Sequence, residues 1–399
     1  MKIKILYLFV FLLGSTTLFS QWSSLTDFPG TARRGSVGFM IGEKLYVCTG
    51  SDSDSLRSDL WEYDTANDLW SRKANFPAAA RWDASGFSIG TKGYVGTGYT
   101  GSTYKKDFWE YDPASDSWTQ KANFGGPASR SAVGFNIGDK GYIGTGYSTP
   151  AGTYYKDFWE YDAVNNVWNQ KTDFPGTARD MATGFAIGEK GYIGMGHDIN
   201  GNYYKDLWEY DPAGNSWLQK PYLTGEAREG AIGFSIGSKG YVGSGLSGDF
   251  PYYYHNDLWE FDPVTDTWTQ ADVFSGAGIY EAVGVSDGAN GYIVTGQADD
   301  GYTKELWKFA VETGIVFGSG STEDEFSVYP NPSFGKIVFE LENYKNSEIE
   351  IFNSNGQLVK SVNLKAARVP FSVNSLVKGT YFVKMKNKNG TLFKKFIKL

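Results

Sequence analysis

The chain has 399 residues, a net charge of −8, 50 glycines, 27 tyrosines, 27 phenylalanines, 13 tryptophans and a single cysteine. At 21% charged residues with so much aromatic surface it is not a disordered chain, and its composition favours pleated sheets joined by many turns. The lone Cys48 excludes an intramolecular disulfide, so stability has to come from packing.

Residues 1–20 carry Lys2 and Lys4, an apolar run from Ile5 to Leu13, and small or polar residues up to Ser20. This is the pattern of a secretory signal peptide cleaved near Ser20. The run is too short to span a bilayer, and no cysteine stands near the cleavage point to take a lipid. No transmembrane segment is therefore expected after signal removal.

From residue 21 the chain repeats. The hexapeptide DLWEYD ending at Asp64 returns as DFWEYD at Asp112 and Asp162, DLWEYD at Asp211 and DLWEFD at Asp262, with a worn sixth copy at Trp307. The lead tryptophans Trp61, Trp109, Trp159, Trp208, Trp259 and Trp307 step by 48, 50, 49, 51 and 48 residues, the mark of one supersecondary unit copied six times. Each unit reads as four short strands. The pattern GFSIG is followed by a two-residue turn, then GYVGTG, a longer loop, FWEYD, an Asx turn at the aspartate, and a strand around a second tryptophan nine residues on. Flat aromatic faces once per unit suit sheets packed around an axis, which makes a propeller. Closure is legible as well: the sixth copy has Val316 where the second tryptophan belongs, whereas Trp22 begins a segment ending in TDFPGTAR at Arg33, identical to the one ending at Arg179. The N-terminal segment is expected to supply the outer strand of the last blade and so remove an open edge.

These residues resemble kelch-repeat propellers, the group that includes the central domain of galactose oxidase, over about residues 21–313. Kelch units usually carry paired glycines after the second strand, whereas this chain has Thr49-Gly50, Thr97-Gly98, Thr145-Gly146, Met195-Gly196, Ser244-Gly245 and Thr295-Gly296. The galactose oxidase resemblance would imply a copper centre of two histidines, two tyrosines and a cross-linked cysteine. Cys48 instead occupies a strand position held by glycine in other copies, reads as a small core residue, and no cofactor is expected.

After Glu312 the period stops, and residues 314–325 read as a linker of small and acidic residues. Residues 326–399 alternate as strands separated by Asn-Gly turns, which predicts a small Ig-like antiparallel β-sandwich. The YPNPS entry at Tyr329–Ser333, the IFNSNGQLV centre, the Gly379–Lys384 hairpin and the KKFIKL end closely resemble the type A sorting domain of the type IX secretion system. That resemblance implies a partner in the secretion machinery and a product secreted, or displayed on the outer-membrane surface, of a Gram-negative bacterium. Residues 323–399 hold 12 Lys and Arg against 7 Asp and Glu, and the leader adds two lysines, which leaves the segment between them at −15. Nucleic acid is not an expected partner of that segment, because phosphate binding needs clustered positive charge.

In such a meander the loops between strands 2 and 3 and the links between blades share one face, and there the sequence varies most. Counted from each outer tryptophan, position 11 reads Arg33, Arg81, Ser129, Arg179, Arg228 and Ile279, while position 12 reads Arg34, Trp82, Arg130, Asp180, Glu229 and Tyr280. Arginine at position 11 is a loop tie or a ligand contact. Position 12 is polar or aromatic in every copy and nearly never the same, as in a ligand-reading ring. Surplus tyrosines in the 2–3 loops, among them Tyr154, Tyr204 and Tyr253, suit stacking on sugars or peptides. These features point to a binding module for a glycan or an extracellular protein. The alternative is a sugar-processing enzyme, since some six-bladed bacterial kelch proteins are sialic acid mutarotases; Glu229, Arg228, Asp180 and Glu226, with Glu281 nearby, would then do the acid–base work. His197 and His255, the only histidines, are weak metal candidates that lack an evident third ligand.

Overall fold

The computed structural model describes residues 19–149, 152–248, 251–274, 276–312, 326–329, 333, 335–341, 347–353, 358–364, 366–387 and 390–398. Most of the expected leader and the whole expected linker, 314–325, lie outside the described residues. The chain divides into two compact units, one over Ser20–Val311 and one that runs from Glu312.

The first unit is built of six four-stranded antiparallel sheets. Blade 1 runs outward through Val37–Ile41, Lys44–Cys48, Leu60–Asp64 and Leu69–Lys73, and the inner strands of the next four blades begin at Ser85, Val133, Thr183 and Ile232. Blade 6 takes Val283–Ser286, Asn290–Val294 and Leu306–Glu312 from one end of the unit and Phe19–Ser24 from the other. Trp22 thus fills the place left by Val316, packing against Phe274 and Phe309 with ring centroids 4.9 and 5.0 Å away.

The tag residues explain the blade. Asp64, Asp112, Asp162, Asp211 and Asp262 each accept the backbone N–H two residues on, at 2.8 to 3.0 Å, closing the outer hairpin. The tag tyrosine reaches across that turn: Tyr63 donates to Asp68 at 2.6 Å and Tyr111 to Asp116 at 2.7 Å. The same side chains accept a backbone N–H from the link that leaves the preceding blade, Thr26 to Asp68 and Ala74 to Asp116, both at 2.9 Å. One motif therefore closes a turn and fastens two blades.

Blades lock through a phenylalanine and a glycine. The inner-strand Phe87 packs against the bare backbone of Gly141 in the next blade, where an added Cβ would sit 2.0 Å from the ring, and Phe39 against Gly93 and Phe234 against Gly291 repeat the contact. At the seam between blades 6 and 1 the pair is exchanged: Val285 replaces the phenylalanine and Leu45 replaces the glycine, and both pack in one cluster with Val283 and Tyr292. Volume lost on one side is restored on the other, as close packing demands.

The inner strands touch in a closed ring, each against the next and the sixth against the first. At one end of the channel a second ring is made by the main chain. Asp83 N donates to Gly35 O (2.9 Å), Ser131 to Asp83 (2.9 Å), Met181 to Ser131 (3.1 Å), Gly230 to Met181 (3.0 Å), Glu281 to Gly230 (3.0 Å) and Gly35 to Glu281 (3.1 Å). All six of these residues, one position past the variable ring, have φ between 49° and 60°. Glycine adopts that region freely, whereas Asp83, Ser131, Met181 and Glu281 store about 1–3 kcal/mol each in it.

The second unit holds a sheet of Phe326–Tyr329, Lys336–Leu341 and Arg368–Ser372, and a second sheet ordered Leu358–Asn363, Glu348–Asn353, Gly379–Asn387, Gly390–Lys398. Ile337, Phe339, Ile349, Val373 and Tyr381 form its core, as expected of a small sandwich. The expected Asn-Gly turns at Asn355 and Asn389 involve residues outside those described.

Candidate functional site

Position 11 is scaffold in every blade where it is arginine. Arg81 forks onto Asp107 at 2.7 and 2.9 Å, Arg179 onto Asp206 at 2.5 and 3.0 Å, and Arg228 onto Asp257, with Arg33 doing the same to Asp59. A further bond runs from each Nη1 to the carbonyl of the residue after strand 2: Thr97 (2.8 Å), Met195 (2.9 Å) and Ser244 (3.1 Å). The same aspartates accept the indole N–H of Trp109, Trp208 and Trp259. These guanidiniums are 0–1% exposed and their donors are committed to protein. Arg81, Arg179 and Arg228, considered above as ligand or catalytic groups, are therefore corrected to structural ties. Burial works against the charge on Asp107, yet Arg81 holds its carboxyl below the usual carboxylate range. In blade 3, where Ser129 replaces the arginine, burial pushes Asp157 upward instead.

Position 12 is built by one backbone rule and six different side chains. Arg34, Trp82, Arg130, Asp180, Glu229 and Tyr280 each form an isolated antiparallel bridge with the third residue past strand 2 of their own blade, namely Ser51, Tyr99, Tyr147, His197, Leu246 and Gln297. Arg34 and Arg130 lie over Trp82 at 5.0 and 4.9 Å from its ring, and Arg34 also lies 5.3 Å from Tyr280, whose hydroxyl accepts from its Nη1. Behind them stand two carboxylates of position 13: Glu281 is 3.4 Å from Arg34 and Asp83 is 3.6 Å from Arg130. Burial pushes Asp83 up to about 6 despite Arg130, and burial together with Asp83 lifts Glu281 well above the carboxylate range.

On the other side of the mouth His197 Nδ1 meets Asp180 Oδ1 at 2.9 Å and also contacts Glu229 Oε2. Burial pulls this imidazole down, but Asp180 and Glu229 outweigh it and raise it to about 10. Neither contact has hydrogen-bond direction. Arg34 Nε, Arg130 Nε, Asp180 Oδ1, His197 Nδ1, Glu229 Oε2, both Glu281 oxygens and Gln297 Oε1 are buried without a hydrogen-bond partner in the protein. Orphaned polar atoms are uncommon in folded proteins, and these eight lie in one mouth.

The remaining candidates separate. Tyr154 Oη lies 3.2 Å from His197 Nε2 and joins the mouth. Tyr204 is pinned, donating to Asp198 at 2.8 Å with Arg179 4.0 Å from its ring centre, and is a loop anchor. Tyr253 is 62% exposed and packs its edge against His255. His255 is buried and bonded to Ser247 at 2.8 Å; it is not among the groups around His197, whose neighbours are the two carboxylates. Glu226 is exposed and is tied to Arg228 through its carbonyl, which removes it from the expected acid–base cluster. Asp83 was not foreseen, although reading position 13 across the copies (Gly35, Asp83, Ser131, Met181, Gly230, Glu281) would have exposed both acids. Cys48 is buried, and burial pushes its thiol up, as suits an inert core residue.

At the other end the channel opens into a cavity of about 360 Å³ lined by the inner-strand glycines, phenylalanines and residues such as Met40, Ser88 and Asn136. No side chain lining it ionises, so the charged chemistry belongs to the mouth.

Comparison with known proteins agrees with this architecture. Residues 8–176 match the KLHDC2/KLHL20/DRC7 Kelch-repeats domain, and residues 327–399 match the secretion system C-terminal sorting domain. The chain is a kelch-repeat propeller followed by a secretion sorting domain, and as such an exported protein. The solved structure of YjhT is similar at a TM-score of 0.61 and 17% identity, covering 71% of this chain and 95% of that one, a likeness of fold alone. No curated protein matches the chain. Among the described residues no helix is long and apolar enough to cross a membrane.

Proposed function

We propose that the channel mouth is the binding site of an exported glycan-binding protein. The observation that carries this reading is the set of buried donors and acceptors left without hydrogen bonds on Arg34, Arg130, Glu281, Gln297, Asp180 and Glu229 in the mouth that Trp82 shares. A sugar offers hydroxyls that both donate and accept at close spacing, which is what such a mixed set requires. Aromatic rings line the approach: Tyr104, Tyr147 and Tyr154 follow one another at centroid distances of 6.0 and 4.9 Å, and Tyr154 continues to His197 at 5.5 Å. Such a belt suits the C–H faces of pyranose rings. A protein partner would instead need a continuous surface of the usual interface size.

Glycan-array screening of the purified full chain tests the reading, with a Trp82→Ala chain as control. Binding to a defined sugar class that the substitution abolishes supports it; a flat array together with tight capture of one co-purifying protein sinks it.

A second reading rests on the raised carboxyls of Asp83 and Glu281, which would be suited to pass protons at a sugar's anomeric centre. NMR of anomeric exchange in the bound sugar distinguishes a binder from a mutarotase, because only the latter accelerates exchange, and only while Glu281 is intact.

A further inference from the structure

We propose that Asp180, His197 and Glu229 form a site for a divalent transition-metal ion, zinc by its ligand set, bridging blades 4 and 5. The inference goes beyond the glycan reading, and its test reads no sugar.

Three ligand atoms, Asp180 Oδ1, His197 Nδ1 and Glu229 Oε2, lie within 4.8 Å of one another. Asp180 and Glu229 are 2% and 8% exposed, and the oxygens they aim at the imidazole have no hydrogen-bond partner. Carboxylates so deeply buried are costly unless a cation answers them. The far nitrogen of the ring is already engaged, with Nε2 3.2 Å from Tyr154 Oη. A partner there fixes the ring and turns Nδ1 toward the carboxylates, the arrangement by which an outer hydroxyl or carbonyl commonly orients a metal-bound histidine.

The main chain places these groups independently of any ion. Asp180 and His197 exchange backbone bonds, each at 3.2 Å, so their side chains stand side by side, and Gly230 N donates to Met181 O at 3.0 Å, holding Glu229 of the next blade beside them. Only blades 4 and 5 have acids at position 12 in succession, since the other copies read Arg34, Trp82, Arg130 and Tyr280. The charge also calls for a cation. The two guanidiniums of the mouth, Arg34 and Arg130, sit with Glu281 and Asp83, so Asp180 and Glu229 face only His197, either as an imidazolium or as a fellow ligand of a metal ion. One imidazole and two carboxylates make a mixed nitrogen and oxygen set, which fits zinc or a neighbouring first-row ion better than calcium or magnesium. His197 keeps 22% of its side chain exposed, so the cluster is reachable from solvent.

The competing occupant is a proton on His197, and the experiment separates the two. The tag-free full chain is stripped with chelator, dialysed, and titrated with zinc chloride alone by calorimetry, then loaded with cobalt(II) for visible absorption. The proposal expects one ion per chain, a cobalt d–d band, and affinity at least about 10-fold weaker in His197→Gln and in Glu229→Gln, with His255→Gln unchanged. Because a buried substitution can unfold the blade, the ¹⁵N shift of His197 in the unmodified chain is followed as zinc is added. A coordinated Nδ1 shift supports the site. An imidazolium shift that zinc does not move, or zinc uptake unchanged in a folded His197→Gln chain, overturns it.

Discussion

Two neighbouring layers of the propeller, one residue apart in every blade, behave as opposites. At position 11 Arg33, Arg81, Arg179 and Arg228 repeat, are buried, and spend their donors on an aspartate, on carbonyls and on nothing outside the protein. At position 12 and just behind it no two neighbouring blades carry the same side chain, and Arg34, Arg130, Asp180, Glu229 and Glu281 hold atoms the protein does not satisfy. In each layer the backbone hydrogen bonding repeats from blade to blade. What separates scaffold from site is whether the polar groups are answered within the protein, and that difference can be broken experimentally.

The strongest test removes a tie. Arg179→Leu empties a fully buried arginine position and leaves the half-buried Asp206 beside Trp208 without its guanidinium, and should cost about 3–5 kcal/mol in denaturant unfolding. Trp82→Ala in the mouth should lower stability far less while reducing glycan affinity at least about 10-fold. If the two substitutions cost the same stability, the division between layers fails.

Next in size is the seam, where the repeat departs from itself without loss of packing. Leu45→Gly alone should cost about 2–4 kcal/mol by opening a cavity beside Val285. Adding Val285→Phe rebuilds the phenylalanine–glycine contact of the other blades, and thermal unfolding should recover most of the loss. A double substitution no better than the single would show that the seam packs by another rule.

The two histidines sharpen the comparison through pH. His255 belongs to the scaffold: burial, with Arg228 nearby, lowers it to about 4 from an ordinary value of 6.5. Between pH 6.5 and 4 the unfolded chain binds a proton that the folded chain refuses, so stability is complete above about 6.5 and falls as acid is added. The loss is on the order of 3 kcal/mol by pH 4. His255→Gln should flatten this part of the stability–pH curve, measured by urea unfolding at successive pH values; an unchanged slope would place the acid sensitivity elsewhere.

The smallest effect concerns the threonines that stand where kelch units usually carry a first glycine. Thr49, Thr145 and Thr295 hold φ of 61° to 62°, and their buried hydroxyls lack partners. Thr145→Gly relieves a strained β-branched residue at the expense of unfolded-state entropy, for a net gain of about 1 kcal/mol in chemical denaturation. A loss there would mean that the Thr145 methyl packing outweighs the strain.

Much of this fold was legible because its cause is local. The Asx turn at Asp64, the tag strand, the glycines at Gly86 and Gly134 that permit close approach of inner strands, and the orphan Trp22 all follow from short-range chemistry repeated at a fixed period. The candidate site was legible only as a row of positions. Its sequence signal was variation, which locates position 12 but does not say which neighbours meet, and Glu226 and Tyr204 were drawn in with residues they do not join. The exchange of Leu45 with Val285 escaped notice because the partners are 240 residues apart.

By itself, then, the amino-acid sequence determined the blade, the number of copies and the N-terminal strand that closes them, since each depends on hydrogen bonds and packing within one repeat or on a missing copy. Only the tertiary structure decided which arginines are spent and which are available, and that His197 stands between Asp180 and Glu229 instead of beside His255. Those outcomes depend on contacts between blades, where burial and the presence or absence of a partner set the charge and chemistry of a side chain.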